Sequence, residues 1–354
     1  MIKSLSPYYV STPFVNPLGG AVLGESYTIS IFIWDGLKAS PPATAEYTKT
    51  IINPTASTGN SKINIARLIS DFIEFEPQKS NVTGVIDGNN NQWVKTSVTY
   101  ENDATVQQAT TSLFSLGYSY GYEGENITTI SNNVLITPQD YKVDRSGVFV
   151  VPILADESTD ESLTVKSYPD NEINFSADAL ATTDSSELVK YIWVQCDETT
   201  TDTYIEVVYN GQTTTLLLQD ECKYTPVDIF FQNKEGAEQS LTFFKEQKED
   251  ISITSEEFEN GTTQPADGYH QFVRYNVQAR SGLSLNSGFL DEEMNDVFTQ
   301  LLMSERIWIF DVKNYEFTPL NIKSKQLEYK TRQKQRLINY EINFEYSYNE
   351  INNI

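Results

Sequence analysis

The sequence predicts a mainly β, multidomain protein: β-sandwich or β-barrel modules, one or two short helices, and a helix followed by a β-meander near the C-terminus. Three observations carry that expectation. The chain holds 21 Tyr and 18 Phe, with abundant Ser and Thr and sparse Ala and Leu, a composition that suits strands better than helices. Short apolar runs are separated by turn signals, the strongest being Asn210-Gly211, because a two-residue hairpin turn needs two residues at positive φ. Finally, Ile338, Tyr340, Ile342, Phe344, Tyr346 and Tyr348 alternate with Asn339, Glu341, Asn343, Glu345 and Ser347. That period of two gives one apolar and one hydrated wall. As one strand, 338–348 would span roughly 36 Å, about twice the usual length, and would need a large sheet or a neighbouring subunit to pair with it.

The 354 residues correspond to two or three domains, expected as an extended N-terminal arm at 1–26, a β-sandwich-like unit with one short helix at 27–155, a small all-β unit at 156–224, and a C-terminal β unit at 225–354. The arm is rich in Pro, Ser and Gly, a composition that in assemblies often lies on a neighbour. YTISIFIW at 27–34 reads as a strand buried on both faces, with 47–52 as its partner. Ile65, Leu68, Ile69, Phe72 and Ile73 repeat at helical spacing, and Pro77 would stop that helix. Strands follow at 93–100, 134–136 and 148–154, and an acidic stretch at 156–161 reads as a linker.

In the second unit, strands are expected at 163–168, 191–196, 204–209 and 214–218. The third opens with Ile229-Phe230-Phe231, a turn at Asn233-Lys234-Glu235-Gly236, and a return strand at 241–244. The charged segment 245–268 reads as a long loop with one strand at 251–253, followed by a strand at 272–279. Leu290, Met294, Val297, Phe298, Leu301 and Leu302 form one helical stripe, predicting a helix over 290–304 whose first turn holds Asp291, Glu292 and Glu293, favoured there by the helix dipole. Strands at 307–310, 318–322 and 326–330 complete the meander.

Several function classes lack their residues. A net charge of −24 opposes an extended contact with phosphate, so no sequence-specific nucleic-acid partner is expected. No apolar run reaches the ~20 residues of a membrane span, and no signal peptide is evident near residue 1, so a cytoplasmic site of synthesis is expected. One His and two Cys spaced 26 positions apart make no zinc pattern, and no phosphate-cradling glycine motif occurs. No cofactor, metal or catalytic set is therefore expected, and His270 reads as a surface or strand-end residue. Acidic pairs suited to glycan hydrolysis are plentiful, but with 49 Asp and Glu such pairs arise by chance.

Two patterns suggest contacts. Lys323, Lys325, Lys330, Arg332, Lys334 and Arg336 gather six cations against the single acid Glu328. This basic stretch would dock on an acidic surface, most simply another copy of the same chain; the alternative is a solvated hairpin tip. Together with Tyr340, Phe344 and Tyr346 these residues form an expected subunit interface. Tyr118, Tyr120 and Tyr122 would share one face of a Gly-containing strand and could stack on sugars, although such rows more often serve cores or interfaces.

Four segments carry a resemblance: YTISIFIWDG with INIARLISDFI; VDIFFQNKEGAEQSLTFFKEQKEDI; SLNSGFLDEEMNDVFTQLLMSERIWI; and LINYEINFEYSYNEINNI. They resemble virion structural proteins of tailed phages infecting Bacteroidetes, including crAss-like and flavobacterial phages. The resemblance covers about a third of the chain and includes no catalytic signature. It implies a non-enzymatic subunit of a tail, neck or baseplate ring, found in the virion and made in the bacterial host cytoplasm, with other copies and neighbouring virion proteins as partners. The alternatives are a host-glycan-binding adaptor or fibre and, further off, a glycan hydrolase.

Overall fold

The computed structural model describes residues 1–12, 26–52, 61–88, 91–100, 106–119, 133–155, 162–169, 171–174, 188–197, 201–261, 270–324, 337–349 and 351–352. The chain is mainly β, with 57% of the described residues in strands and 7% in helices. Among the described residues the sheets stay open, and no barrel closes. Helix α1 spans Ala66–Ser70 and α2 spans Asn295–Met303.

The first sheet runs in the order Ile2–Lys3, Val106–Ser115, Asn91–Tyr100, Ser26–Trp34 and Tyr47–Ile52. The expected pairing of 47–52 with the YTISIFIW strand holds. That strand is not buried on both faces along its length: Tyr27, Ile29, Ile31 and Ile33 point into a core with Ile65, Ile69, Ile73 and Phe75, while Thr28, Ser30 and Phe32 are only half-buried and Trp34 is buried in a separate cluster. Helix α1 ends at Ser70, before Pro77, and Ile73 and Phe75 reach the core from the non-helical chain that follows. The N-terminal segment is fastened rather than free over residues 1–12. Ile2–Lys3 pairs in parallel with Phe114 and Ser115, Tyr9–Ser11 pairs with Lys62–Asn64, and the Lys3 ammonium lies 2.9 Å from Glu235. Residues 13–25 fall outside the description.

Two sheets occupy the middle of the chain. One orders Asn171–Asn174, Leu163–Tyr168, Tyr204–Tyr209, Gln212–Gln219 and Asp140–Asp144; the other orders Val148–Leu154, Val189–Gln195 and Gly84–Asp87. Asn210 (φ 46°) and Gly211 (φ 79°) make the expected hairpin turn. Residues 134–136 form only an isolated bridge, Val134 to Ile153. The expected boundary at 155 separates neither the sheets nor the core, whereas that at 224 falls between sheets and is crossed only by the core. Asp140–Asp144 pairs in parallel with Gln212–Gln219, Val148–Leu154 pairs with Val189–Gln195, and one apolar cluster runs from Val134 to Phe344.

The largest sheet has eight strands. Its main path is Glu238–Phe243, Val227–Gln232, Ile307–Asp311, Glu316–Ile322, Glu341–Tyr346, Phe272–Asn286 and Gln247–Glu259, and Ile351–Asn352 also pairs with Phe272–Asn286. Helix α2 lays Val297, Phe298 and Leu301 against this cluster with no exposed surface, about 1.5–3 kcal/mol of stabilisation for each side chain. It begins later than expected: Leu290–Asp291 is a strand paired with Leu337–Ile338, and Glu292–Met294 is a 3₁₀ turn.

The turn after Val227–Gln232 joins the largest sheet to the first. Gly236 has φ 79°, and a Cβ there would stand 2.6 Å from the Gly117 nitrogen and 2.8 Å from the Leu116 carbonyl carbon. Only glycine permits so close an approach of two backbones. Ser115 Oγ donates to the Glu235 carbonyl at 3.0 Å, Tyr118 N–H donates to the Lys234 carbonyl at 2.8 Å, and Phe75 stacks on Trp308 with ring centres 5.7 Å apart.

Candidate functional site: an exposed β-ribbon

The segment expected to be mostly loop contains part of the longest paired element among the described residues. Gln247–Glu259 is a 13-residue strand antiparallel to the 15-residue strand Phe272–Asn286. The second strand is longer than the expected 272–279. Its inner half is embedded: Gly282–Asn286 pairs with Glu341–Glu345 on the side opposite Gln247–Glu259, and Leu283 and Leu285 are buried. Gln278 and Ala279 still have a second neighbour, Asn352 and Ile351. Beyond them, among the described residues, the pair continues as a two-stranded ribbon over roughly 20 Å at ~3.3 Å per residue.

Nearly every residue of Gln247–Glu259 is exposed, and no described strand pairs with its outer edge. Ile251 is 50% exposed, Ile253 54%, Phe258 48%, Phe272 58% and Tyr275 46%. Opposed residues of an antiparallel pair share a face, so the register places Ile251 and Ile253 on the face that carries buried Leu283 further in. Phe258 and Tyr275 lie on the other face, with rings 5.8 Å apart. The extra residue that shifts the register falls in the second strand, near Asn276 at φ 50°. A two-stranded ribbon with apolar side chains in water on both faces is at best marginally stable alone. A long exposed sheet edge is also a template for another strand.

The expected interface residues are placed differently. Residues 338–348 do not form one strand. Leu337–Ile338 pairs with Leu290–Asp291, and Glu341–Tyr346 pairs on one side with Gly282–Asn286 and on the other with Leu320–Ile322. Between them, Tyr340 N–H donates to Ser287 Oγ and Ser287 N–H donates to the Tyr340 carbonyl, both at 2.9 Å. Tyr340 and Phe344 are therefore core residues, 4% and 1% exposed, and are withdrawn from the interface. The Tyr340 hydroxyl donates to Asn295 Oδ1 at 2.6 Å, and Phe344 stands perpendicular to Phe243. Tyr346 is half-buried against the same cluster. Within the basic stretch, Lys323 lies 3.1 Å from Glu345 of its own chain; Lys325, Lys330, Arg332, Lys334 and Arg336 lie outside the described residues.

The tyrosine row is not seen as one face of a strand. The preceding strand stops at Ser115, and Tyr118 follows in non-strand chain with its ring buried and its hydroxyl 3.4 Å from the Gln300 carbonyl. Tyr120 and Tyr122 lie outside the described residues.

His270 is exposed just before the second ribbon strand. Both cysteines are free; Cys222 is exposed, whereas Cys196 is buried, and burial with Asp228 and Asp144 nearby pushes its thiol up to about 12. Burial raises Asp228 to about 6, although Thr242 Oγ1 donates to it at 2.6 Å. Glu238 is raised to about 8 by burial. Its Oε2 accepts the Gln78 N–H at 2.8 Å, and its Oε1 has no hydrogen-bond partner. Among the described residues, no group of three His, Cys, Asp or Glu is placed to hold a metal ion, and no helix is long and apolar enough to cross a membrane.

The fold defines a mainly β protein of several packed open sheets, with an exposed ribbon extending from the largest. No protein-family model matches the chain, and no curated protein matches it. Among solved structures, the crystal structure of CBD12 from CALX1.2 is similar over 58% of this chain and 73% of that one, at 10% identity and a TM-score of 0.18. At that score the likeness carries no argument about this chain.

Proposed function

We propose that this chain is a structural subunit of a tailed-phage virion, part of a ring in the tail, neck or baseplate, held to its neighbours by strand contacts. The observation that carries the assembly half of this reading is the ribbon. Gln247–Glu259 and the outer half of Phe272–Asn286 expose Ile251, Ile253, Phe258, Phe272 and Tyr275 on a two-stranded element with an open edge. Burial of exposed apolar area and pairing of open backbone groups favour association. Strand addition onto a sheet edge is also a recurrent recognition mode. The virion half rests on the four-segment resemblance. The acidic charge keeps unassembled copies apart until a specific contact forms.

The test uses the intact chain and the particle. Light scattering and electron microscopy of the purified protein are expected to show discrete oligomers, and an antibody raised against it is expected to label one zone of tailed particles. A monomer at every concentration, or particles that take no label, would overturn the reading.

A further inference from the structure

We propose that the partner at the open edge is the same strand of a second copy, paired antiparallel about a two-fold axis that sets Ser252 opposite its own copy. The proposal rests on the assembly reading above and names one of its contacts; a two-fold contact closes on a pair, so a ring would join such pairs through further surfaces. A two-fold joining two identical sheet edges into one continuous sheet stands perpendicular to the sheet. It must therefore pass midway between the two copies of a single residue, since opposed residues share a face.

The strand reads Gln247-Lys248-Glu249-Asp250-Ile251-Ser252-Ile253-Thr254-Ser255-Glu256-Glu257-Phe258-Glu259. Centred on Ser252, the pairing sets Ile251 opposite Ile253 twice and Lys248 opposite Glu256 twice. Asp250 then meets Thr254, Glu249 meets Ser255, and Gln247 meets Glu257. No like charges stand directly opposite.

The neighbouring registers are worse. Centring on Ile253 places Asp250 opposite Glu256 and Glu249 opposite Glu257. Centring on Ile251 opposes Glu249 to Ile253 and leaves no ion pair. Centring on Asp250 opposes that carboxylate to itself, and centring on Thr254 opposes Glu249 to Glu259. Like charges directly opposite each other destabilise a strand pair, whereas matched aliphatic and opposite-charge pairs stabilise it.

The surrounding structure favours the same arrangement. The register puts Ile251 and Ile253 on the face where Leu283, Leu285, Ile342 and Phe344 are buried. A second copy would extend that apolar face by two further isoleucines, setting four side by side at the junction. Lys248 is only loosely held, its ammonium 3.7 Å from Glu341 with both side chains more than half exposed. Glu256 interacts with Tyr275 across the ribbon on the same face.

The experiment exploits the two-fold itself. In an antiparallel pair, opposed Cα atoms stand about 4.5 or 5.5 Å apart, within the range a disulfide spans. With exposed Cys222 replaced by Ser, Ser252→Cys is expected to convert most of the full-length protein to a disulfide-linked dimer under mild oxidant. Ser255→Cys, whose two copies would be about 20 Å apart, is expected to remain unlinked. Lys248→Glu and Glu256→Lys should each weaken dimerisation about tenfold, and the two together should restore it to within about twofold. If the wild type assembles but Ser252→Cys links no better than Ser255→Cys, or the charge exchange fails to restore association, this register is overturned and the assembly reading survives. If the wild type never associates, both fall.

Discussion

Phe344→Ala is expected to destabilise the folded chain by about 3–5 kcal/mol, the usual cost of truncating a buried phenylalanine and leaving its cavity. The structure puts the change at the upper part of that range. Phe344 is 1% exposed, pairs with Leu283 and Ile322 in the flanking strands, and meets the Phe243 ring at 6.2 Å and 90°. Three strands hold the site, so little collapse can fill it. With folded proteins stable by about 5–15 kcal/mol, this is a large fraction of the total. Urea unfolding followed through the four tryptophans, at a concentration where association is negligible, reads the change directly. Tyr348→Ala, at a residue 46% exposed, is the control and should cost under about 1 kcal/mol. If Phe344→Ala costs less than about 1 kcal/mol while abolishing association, the side chain is an interface residue and its assignment to the core is wrong.

Gly236→Ala should cost about 3 kcal/mol, because the position combines φ 79° with a Cβ 2.6 Å from the Gly117 backbone, adding backbone strain to overpacking; a melting temperature within a degree of wild type would refute the close approach. Gly211→Ala, with the same φ but open space around its Cβ, should cost only about 1 kcal/mol by the same thermal measurement. Glu238 provides a pH test. Its folded pKa, about 8, lies above its ordinary 4.5, so the folded state holds the proton more tightly than the unfolded one. The stability this contributes is complete below about pH 4.5 and is lost as pH rises through about 8. With a single histidine in the chain, few other groups titrate in the upper part of this window. Melting temperature should fall between pH 6 and 8.5, and Glu238→Gln should flatten that slope; an unchanged slope would show that Glu238 is already ionised.

What the sequence made legible follows from what its patterns report. Asn210-Gly211 announced its hairpin because few residues other than Asn and Gly tolerate positive φ. The α2 stripe was legible because its apolar side is buried, but its start was not: Leu290–Asp291 is held by pairing with Leu337–Ile338, Leu290 opposite Ile338 and Asp291 opposite Leu337, partners far away in sequence. Alternation over 338–348 correctly marked an apolar wall through Tyr340, Ile342 and Phe344. It could not show that partners on both sides lie within the same chain. The ribbon was the hardest element to see, since periodicity records burial rather than backbone conformation. Gln247–Glu259 is wet on both faces, so its sequence carries no alternation. The parallel pairing of Asp140–Asp144 with Gln212–Gln219 crosses an expected boundary that no local pattern contradicted.

Sedimentation velocity on the wild type beside the double variant Ile251→Ser, Ile253→Ser tests the role of the ribbon most directly. These side chains are half exposed, so the substitutions should leave urea unfolding of the single chain almost unchanged. The account predicts an associated wild type and a monomeric variant of equal fold stability. A wild type that sediments as a monomer into the high micromolar range, or a variant that associates as tightly as wild type, would contradict it.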